Sequence, residues 1–378
     1  MKLSNKHRNL VNANLFDLKK CMITFTFLLG LCYILPAQSV YVVDNNQGSG
    51  AEFTSLQAAI DAAAANDIIY VQPSPNGYGN INMTKPITIY GLGHIPELNA
   101  GQYASVSNIF FRSANASGSK ISGLYINNIY LDNTTYTNHD VVITNNRVAY
   151  IVGNSTTTQA NNVIISGNYI RNANFNAIDP YNSQNWIISN NIMEQPNTSA
   201  TWSSFNRFNS SIIFNNNIVL TRQNGNGSGA IQLFANCSGT QITNNIFLFK
   251  GTSVSNFNLG SNNALSFQNN LTYNYNGTLD ALSGSGNIDN ADPQFVAFNS
   301  NASLNTTAND YHIQTGSPAE NAGTDGNDLG VYNGGFPFSP RGYPTELPYL
   351  TDFVIFNNII TPGSTLNVNI KANANLNN

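Results

Sequence analysis

The chain has 378 residues, of which 15 are Lys or Arg and 19 are Asp or Glu, so charged residues make up 9% against about 25% in an ordinary soluble domain. Asn occurs 66 times, and the formal net charge is −4. This balance leaves no basic surface for neutralising phosphates and too little Glu, Lys and Arg for a coiled coil, while 41% hydrophobic residues suffice for a core.

In chain order, Lys19 and Lys20 precede an apolar run from Met22 to Leu35, and Pro36-Ala37-Gln38-Ser39 comes next. A positive region, a short apolar stretch and small residues are the order of an export signal, here residues 1–39. The run is short for a bilayer span, and no later run is long enough. Cleavage near Ala37 or Ser39 removes Cys21 and Cys32 and leaves Cys237 alone, so no internal disulfide is expected. The remainder carries ten basic and eighteen acidic residues.

Thr54-Ser55-Leu56-Gln57 is a capping-box pattern opening an Ala-rich segment, Leu56 to Ala65. Leu56, Ile60 and Ala63 share a face, which predicts a short helix covering the first of the strand-built coils. Strands are predicted at Ile68–Val71 and Ile87–Tyr90.

A repeat then sets in. Val142-Ile143-Thr144-Asn145-Asn146 returns as Ile164-Ile165-Ser166-Gly167-Asn168 and Ile187-Ile188-Ser189-Asn190-Asn191. It continues through Ile212-Ile213-Phe214-Asn215-Asn216, Gln241-Ile242-Thr243-Asn244-Asn245 and Ser266-Phe267-Gln268-Asn269-Asn270. A weaker copy starts at Ile121. A period of 22–29 residues, with β-branched strands and no room for helices, predicts a stacked solenoid. Two apolar columns should face inward: Ile121, Ile143, Ile165, Ile188, Ile213, Ile242 and Phe267; then Ile126, Val148, Ile170, Met193, Ile218 and Phe247. The Asn column suits both a left-handed bend and a ladder of amides roughly 4.8 Å apart. A third strand is read through Ile151, Ile178, Phe205, Ile231 and Phe257. The expected fold is all-β: a right-handed parallel β-helix, three-sided, with an N-terminal capping helix, over residues 40–342. Residues Asp289 to Gly342 should close its back end. Residues 343–378 form an extension with strands at Phe353–Phe356 and Leu366–Ile370.

Phe53-Thr54-Ser55-Leu56-Gln57-Ala58-Ala59-Ile60-Asp61-Ala62-Ala63, with Ile68-Ile69-Tyr70-Val71 and Ile87-Thr88-Ile89-Tyr90-Gly91, resembles the entrance of pectin-lyase-like parallel β-helix proteins. Ala291-Asp292-Pro293-Gln294-Phe295, Asp310-Tyr311-His312-Ile313 and Gly316-Ser317-Pro318-Ala319-Glu320-Asn321-Ala322-Gly323 resemble the closing segment of secreted bacterial members. The resemblance covers about residues 40–335 and implies fold and export. It implies no single activity, because the superfamily holds lyases, hydrolases, esterases, epimerases and binding proteins. The paired-Asp, pectinesterase-like and pectate-lyase-like signatures are missing from this sequence.

Candidate chemistry is sparse. The residues after the third-strand column are Val152, Asp179, Asn206, Gln232 and Asn258. Asp179 there could act as a base or metal ligand, with Arg207 one coil on; the bland reading is a turn aspartate before Pro180. Arg171 and Glu194 share a column and read as a surface ion pair. Asp325-Gly326-Asn327-Asp328 could hold Ca²⁺ weakly or simply turn; no other cofactor is indicated. His94, His139 and His312 lack metal-ligand spacing. Tyr125, Arg147 and Tyr169 form one outward column and could offer a sugar-binding platform, with Asn206, Gln232 and Asn258 supplying amides. The reading is a monomeric, exported protein that binds extracellular polysaccharide or mediates adhesion, without nucleic acid. The alternatives are a divergent lyase or glycoside hydrolase at Asp179, or a purely structural surface protein.

Overall fold

A computed structural model describes residues 38–98, 101–131, 135–153, 155–172, 176–199, 203–257, 262–339, 342–356, 359 and 361–373. The chain divides after Gln38, and the solenoid belongs to the unit beginning at Ser39. The expected export segment, Cys21 and Cys32 therefore lie outside the described residues, apart from Gln38 and Ser39. Among the described residues no helix is long and apolar enough to cross a membrane.

The repeat folds into stacked parallel coils. One strand of each coil joins an eleven-stranded parallel sheet whose strands follow chain order from Val40–Val43 to Gly284–Ser285. A second sheet takes the strand after the Asn turn: Tyr125–Tyr130, Arg147–Val152, Tyr169–Arg171, Ile192–Gln195, Ile218–Thr221, Ile246–Phe249 and Leu271–Asn274. From Ile151 and Val152 a further ladder, Ile178–Asp179, Phe205–Asn206 and Phe234–Ala235, branches from the same sheet. The short strands suit β-branched residues, whose inward members stack on like side chains one coil away.

Both inward columns have the expected composition with one slip. Ile188 pairs with Phe214, not Ile213, and Met193 with Val219, not Ile218. Ile213 consequently faces solvent at 43% exposure. The cause is the run Asn215-Asn216-Asn217, in which any pair fits the motif; the structure uses Asn216 and Asn217. In the third column Phe234, not Ile231, pairs with Phe205. Ala235 therefore replaces Gln232 in the row of Asp179.

The two turn positions divide the work that the repeat pattern assigned to one Asn. The first position is left-handed: Gly123, Asn145, Gly167, Asn190, Asn216, Asn244 and Asn269 all have φ between 52° and 75°. The second is the ladder. Asn146, Asn168, Asn191, Asn217, Asn245 and Asn270 are fully buried. Each Oδ1 from Asn146 on accepts the backbone N–H of the ladder residue one coil before, at 2.9–3.0 Å. Each Nδ2 donates to a carbonyl in the preceding coil, as Asn217 does to Ile188 at 3.0 Å. The amides of the ladder position are thus satisfied inside the stack, which burial requires.

Helix α1, Leu56–Ala62, covers the first coil with Leu56, Ala59 and Ile60. Its N-cap is Ser55, whose hydroxyl accepts from Ala58 N–H at 3.3 Å. Gln57 does not close a capping box; its Oε1 accepts from Asn82 N–H at 2.7 Å.

Only the start of the segment expected to close the back end does so, where Asn290 and Ala291 bond Thr272 of the last coil. After the antiparallel pair Phe295–Ala297 and Asp310–Ile313, the chain returns along the outside of the coils towards the first ones. Ala322 meets Asn269, Thr324 meets Asn244, Gly330 meets Asn216, Val331 and Asn333 meet Asn190, and Gly342 meets His94. Pro344 lies close over Gly123, where a side chain would collide with it. A second apolar core forms between this return segment and the outer face of the second sheet. Phe295, Leu304, Tyr311, Leu329, Val331 and Phe338 pack on Tyr169, Ile192, Ile218, Leu220, Ile246, Leu248 and Leu271. The expected strands of the extension form an antiparallel hairpin, Tyr349–Ile355 with Val368–Asn373.

Candidate functional site

The outward row beside the ladder turn has the expected register: Tyr125 pairs with Arg147, and Arg147 with Tyr169. The Arg147 guanidinium lies 3.8 Å from the Tyr125 ring centroid and 5.9 Å from that of Tyr169. Tyr103, 22 residues before Tyr125, stacks on it from the other side at 4.7 Å and 29°. The return segment then splits the row in two.

Tyr169 is buried beneath it. Its hydroxyl donates to Glu194 and lies 3.5 Å from Ser303 Oγ, and its ring faces His94 at 6.3 Å. No sugar can reach that ring. Burial and the Glu194 carboxylate raise the phenol's pKa. Tyr125, Arg147 and Tyr103 stay open and form one wall of a cleft of about 470 Å³. The opposite wall is the loop from Asn299 to Asn309, and Glu97 stands at the rim, accepting from Thr306 Oγ1 at 2.9 Å. That volume is within the usual range of ligand sites. Among the described residues, Arg147 has no hydrogen-bond acceptor and no carboxylate in salt-bridge range. Burial lowers its pKa from the ordinary guanidinium value.

The loop wall is held by charge. Glu194 is buried and bonds Tyr169 and Arg222, with Arg171 Nε at 3.7 Å. The ion pair with Arg171 that spacing suggested is present, but its carboxylate is buried, and Arg222, just past the next strand of the sheet, supplies the closer cation. Arg222 also donates to the carbonyls of Ser300 and Ala302 at 2.9 and 3.0 Å. Lys250 bonds Ser300 and Asn301. His94, fully buried, fixes Asn305: Nδ1 lies 2.7 Å from Asn305 Oδ1, and Asn305 Nδ2 donates to the His94 carbonyl at 2.9 Å.

Asp179 on the branched ladder and Arg207 just past its next strand form an enclosed clamp. Arg207 donates through Nε at 2.9 Å and through Nη2. Asn206, Asn176 and the Tyr181 N–H add bonds at 3.1, 3.3 and 3.1 Å. The Arg207 guanidinium covers the Tyr181 ring at 3.7 Å. Desolvation raises the Asp179 pKa, and Arg207 opposes the rise. The carboxylate is fully buried, so its oxygens are spent on protein donors. Asn206 is also buried, with Oδ1 accepting from Asn236 at 2.8 Å. Gln232 is exposed and off this row, and Asn258 lies outside the described residues.

The Asp325 segment is a hydrogen-bonded turn: Asp325 accepts from Asn327, and Asp328 from the Asn321 N–H. Among the described residues, no three His, Cys, Asp or Glu side chains come together in a metal-ligating group. Sequence reasoning missed Tyr103, Glu97, His94 and the loop wall. Tyr103 lies 22 residues before Tyr125, but the register places Ser105 and not Tyr103 beside Tyr125, so the interval alone did not mark the stack. The other three enter only through the return segment, which has no period.

No family model matches the sequence, and no curated protein matches it. Among solved structures, a rhamnogalacturonan lyase aligns over 62% of this chain and 68% of its own, at 14% identity and a TM-score of 0.34. Pectate lyase Pel9A aligns over 80% and 97%, at 13% identity and a TM-score of 0.33. Likeness of that degree carries no argument about what this chain does, and the parallel solenoid rests on its own strand registers.

Proposed function

We propose that this protein binds an acidic stretch of extracellular polysaccharide in the cleft of Tyr103, Tyr125 and Arg147. One observation carries the reading: a half-buried guanidinium, stacked on a tyrosine, opens into a cleft without a carboxylate of its own in salt-bridge range. A desolvated cation gains most from an anion that meets it bidentately, as a sugar carboxylate or sulfate does. The tyrosine rings supply flat apolar faces for the C–H side of a pyranose, and Asn299 on the facing loop supplies an amide. The chain's small net negative charge acts weakly here, because fields are screened beyond about 8–10 Å. Export through the 1–39 segment and action as a monomer belong to the same proposal. Asp179 and Arg207 serve the fold in it, since a base needs an oxygen free to reach substrate.

Affinity electrophoresis in polygalacturonate, with a neutral glucan as control, tests it. Retention is expected in the acidic gel and not in the neutral one, with about tenfold weaker binding for Arg147→Met. Equal retention in both gels, or unchanged retention in Arg147→Met, refutes it. Product release abolished by Asp179→Ala would establish the enzymatic reading instead, and silence across a broad glycan panel the structural one.

A further inference from the structure

The left-handed turn row contains one asparagine that behaves unlike the rest. Asn190, Asn216, Asn244 and Asn269 all donate their side-chain amides to the return segment, at up to 3.5 Å. Asn145 belongs to the same row, is 4% exposed, and its carboxamide has no hydrogen-bond partner among the described residues. Over Asn145 and Gly167 the return segment arches away from the coils. The gap is a chamber of about 310 Å³. Its floor carries Asn145 and Ser166; its roof carries Phe336, Pro337 and Ser339; Glu346, paired with Lys120, stands at one side. Ser166 and Ser339 are also buried and have no side-chain partner among the described residues. Gly167 keeps the space open, since a Cβ there would lie 2.9 Å from Asn145 Oδ1.

Polar side chains without a protein partner, Asn145 and Ser166 on the floor and Ser339 in the roof beside Phe336 and Pro337, open on one chamber and suit a ligand that presents both hydroxyls and C–H groups. We propose that this chamber is a second binding site, which takes a single polyhydroxylated ring such as a pyranose. Asn145 bonds two neighbouring hydroxyls as donor and acceptor, Ser166 and Ser339 bond others, and Phe336 covers the apolar face of the ring. The site is independent of the cleft at Arg147, which lies on the other side of the ladder turn.

The test titrates the whole protein with methyl β-glucoside and with glucose, followed by calorimetry and ligand-observed NMR, and solves crystals soaked in the same sugars. Asn145→Gly is the informative variant. Gly123 and Gly167 occupy the equivalent left-handed position in neighbouring coils, so the backbone accepts glycine there. Saturable binding is expected, weakened about tenfold by Asn145→Gly and by Phe336→Ala, and unchanged by Arg147→Met. Density for waters only, binding that ignores both chamber variants, or binding abolished by Arg147→Met would overturn the proposal. The last result would place the sugar in the cleft, so the two sites fail separately.

Discussion

His94 is where both limbs of the return segment meet the coils, and it should make their attachment sensitive to acid. Its Nδ1–H is used by Asn305, its N–H donates to the Gly342 carbonyl at 3.3 Å, and its Nε2 has no partner. Arg147 and the Tyr169 ring face it from the second sheet, with Glu194 behind Tyr169; Glu97 lies on its own segment. Burial, reinforced by Arg147, holds its pKa down from 6.5 to about 4. A depressed histidine pKa means that the fold prefers the neutral ring. Above pH 6.5 neither state is protonated and stability is complete. As the pH falls from 6.5 towards 4 the detached state takes up the proton first, so stability is lost; below 4 the loss levels off. The full loss is about 3 kcal/mol, with a slope of at most about 1.4 kcal/mol per pH unit. Hydrogen exchange of the amides from Ser303 to Tyr311, with urea unfolding alongside, reads it between pH 7 and pH 4. His94→Asn is the control, because its Nδ2–H can replace the Nδ1–H bond to Asn305 and does not titrate. Carboxylates titrate in both proteins, so the difference between them isolates His94. Identical pH slopes in the two would refute the reasoning.

Two further outcomes separate the parts of the fold by urea unfolding. Asn217→Ala should cost about 3 kcal/mol or more, because it strands the Asn191 N–H and the Ile188 carbonyl inside the stack, whereas Asn216→Gly should cost about 1 kcal/mol or less, since glycine keeps the left-handed turn. Equal effects would mean that the two positions do not divide the work. Asp179→Ala should cost about 2 kcal/mol, less than a fully buried pair, because the Arg207 side chain is 37% exposed and can regain water. The same variant should keep its glycan retention; losing it would move the site to the clamp.

The coils were legible because their contacts are periodic. Each strand touches its own copy one coil away, so like residues recur at the interval of the stack, and the spacing of Ile143, Ile165 and Ile188 is enough to mark a column. Where the code was locally degenerate, in Asn215-Asn216-Asn217, the expected register slipped by one residue. A one-residue slip in a strand sends the wrong side chain outward, which is why Ile213 and Phe214 exchanged roles. The platform of Tyr125 and Arg147 was visible for the same reason as the core columns. Its burial at Tyr169 was not, because spacing along the coils says nothing of what covers them.

The sequence alone therefore determined the solenoid, its inward columns, its Asn ladder and the helix that opens it, since all depend on contacts between neighbours. Tertiary structure decided what is open and what is closed. Asn305 reaches His94 across 211 residues, and Val331 reaches Asn190 across 141. Contacts at such separations leave no interval in the sequence. They turned Tyr169 from a binding ring into a core residue, Glu194 from a surface carboxylate into a buried anchor, and the surplus of asparagine into two rows: one that holds the coils together, and one that, except at Asn145, holds the return segment down.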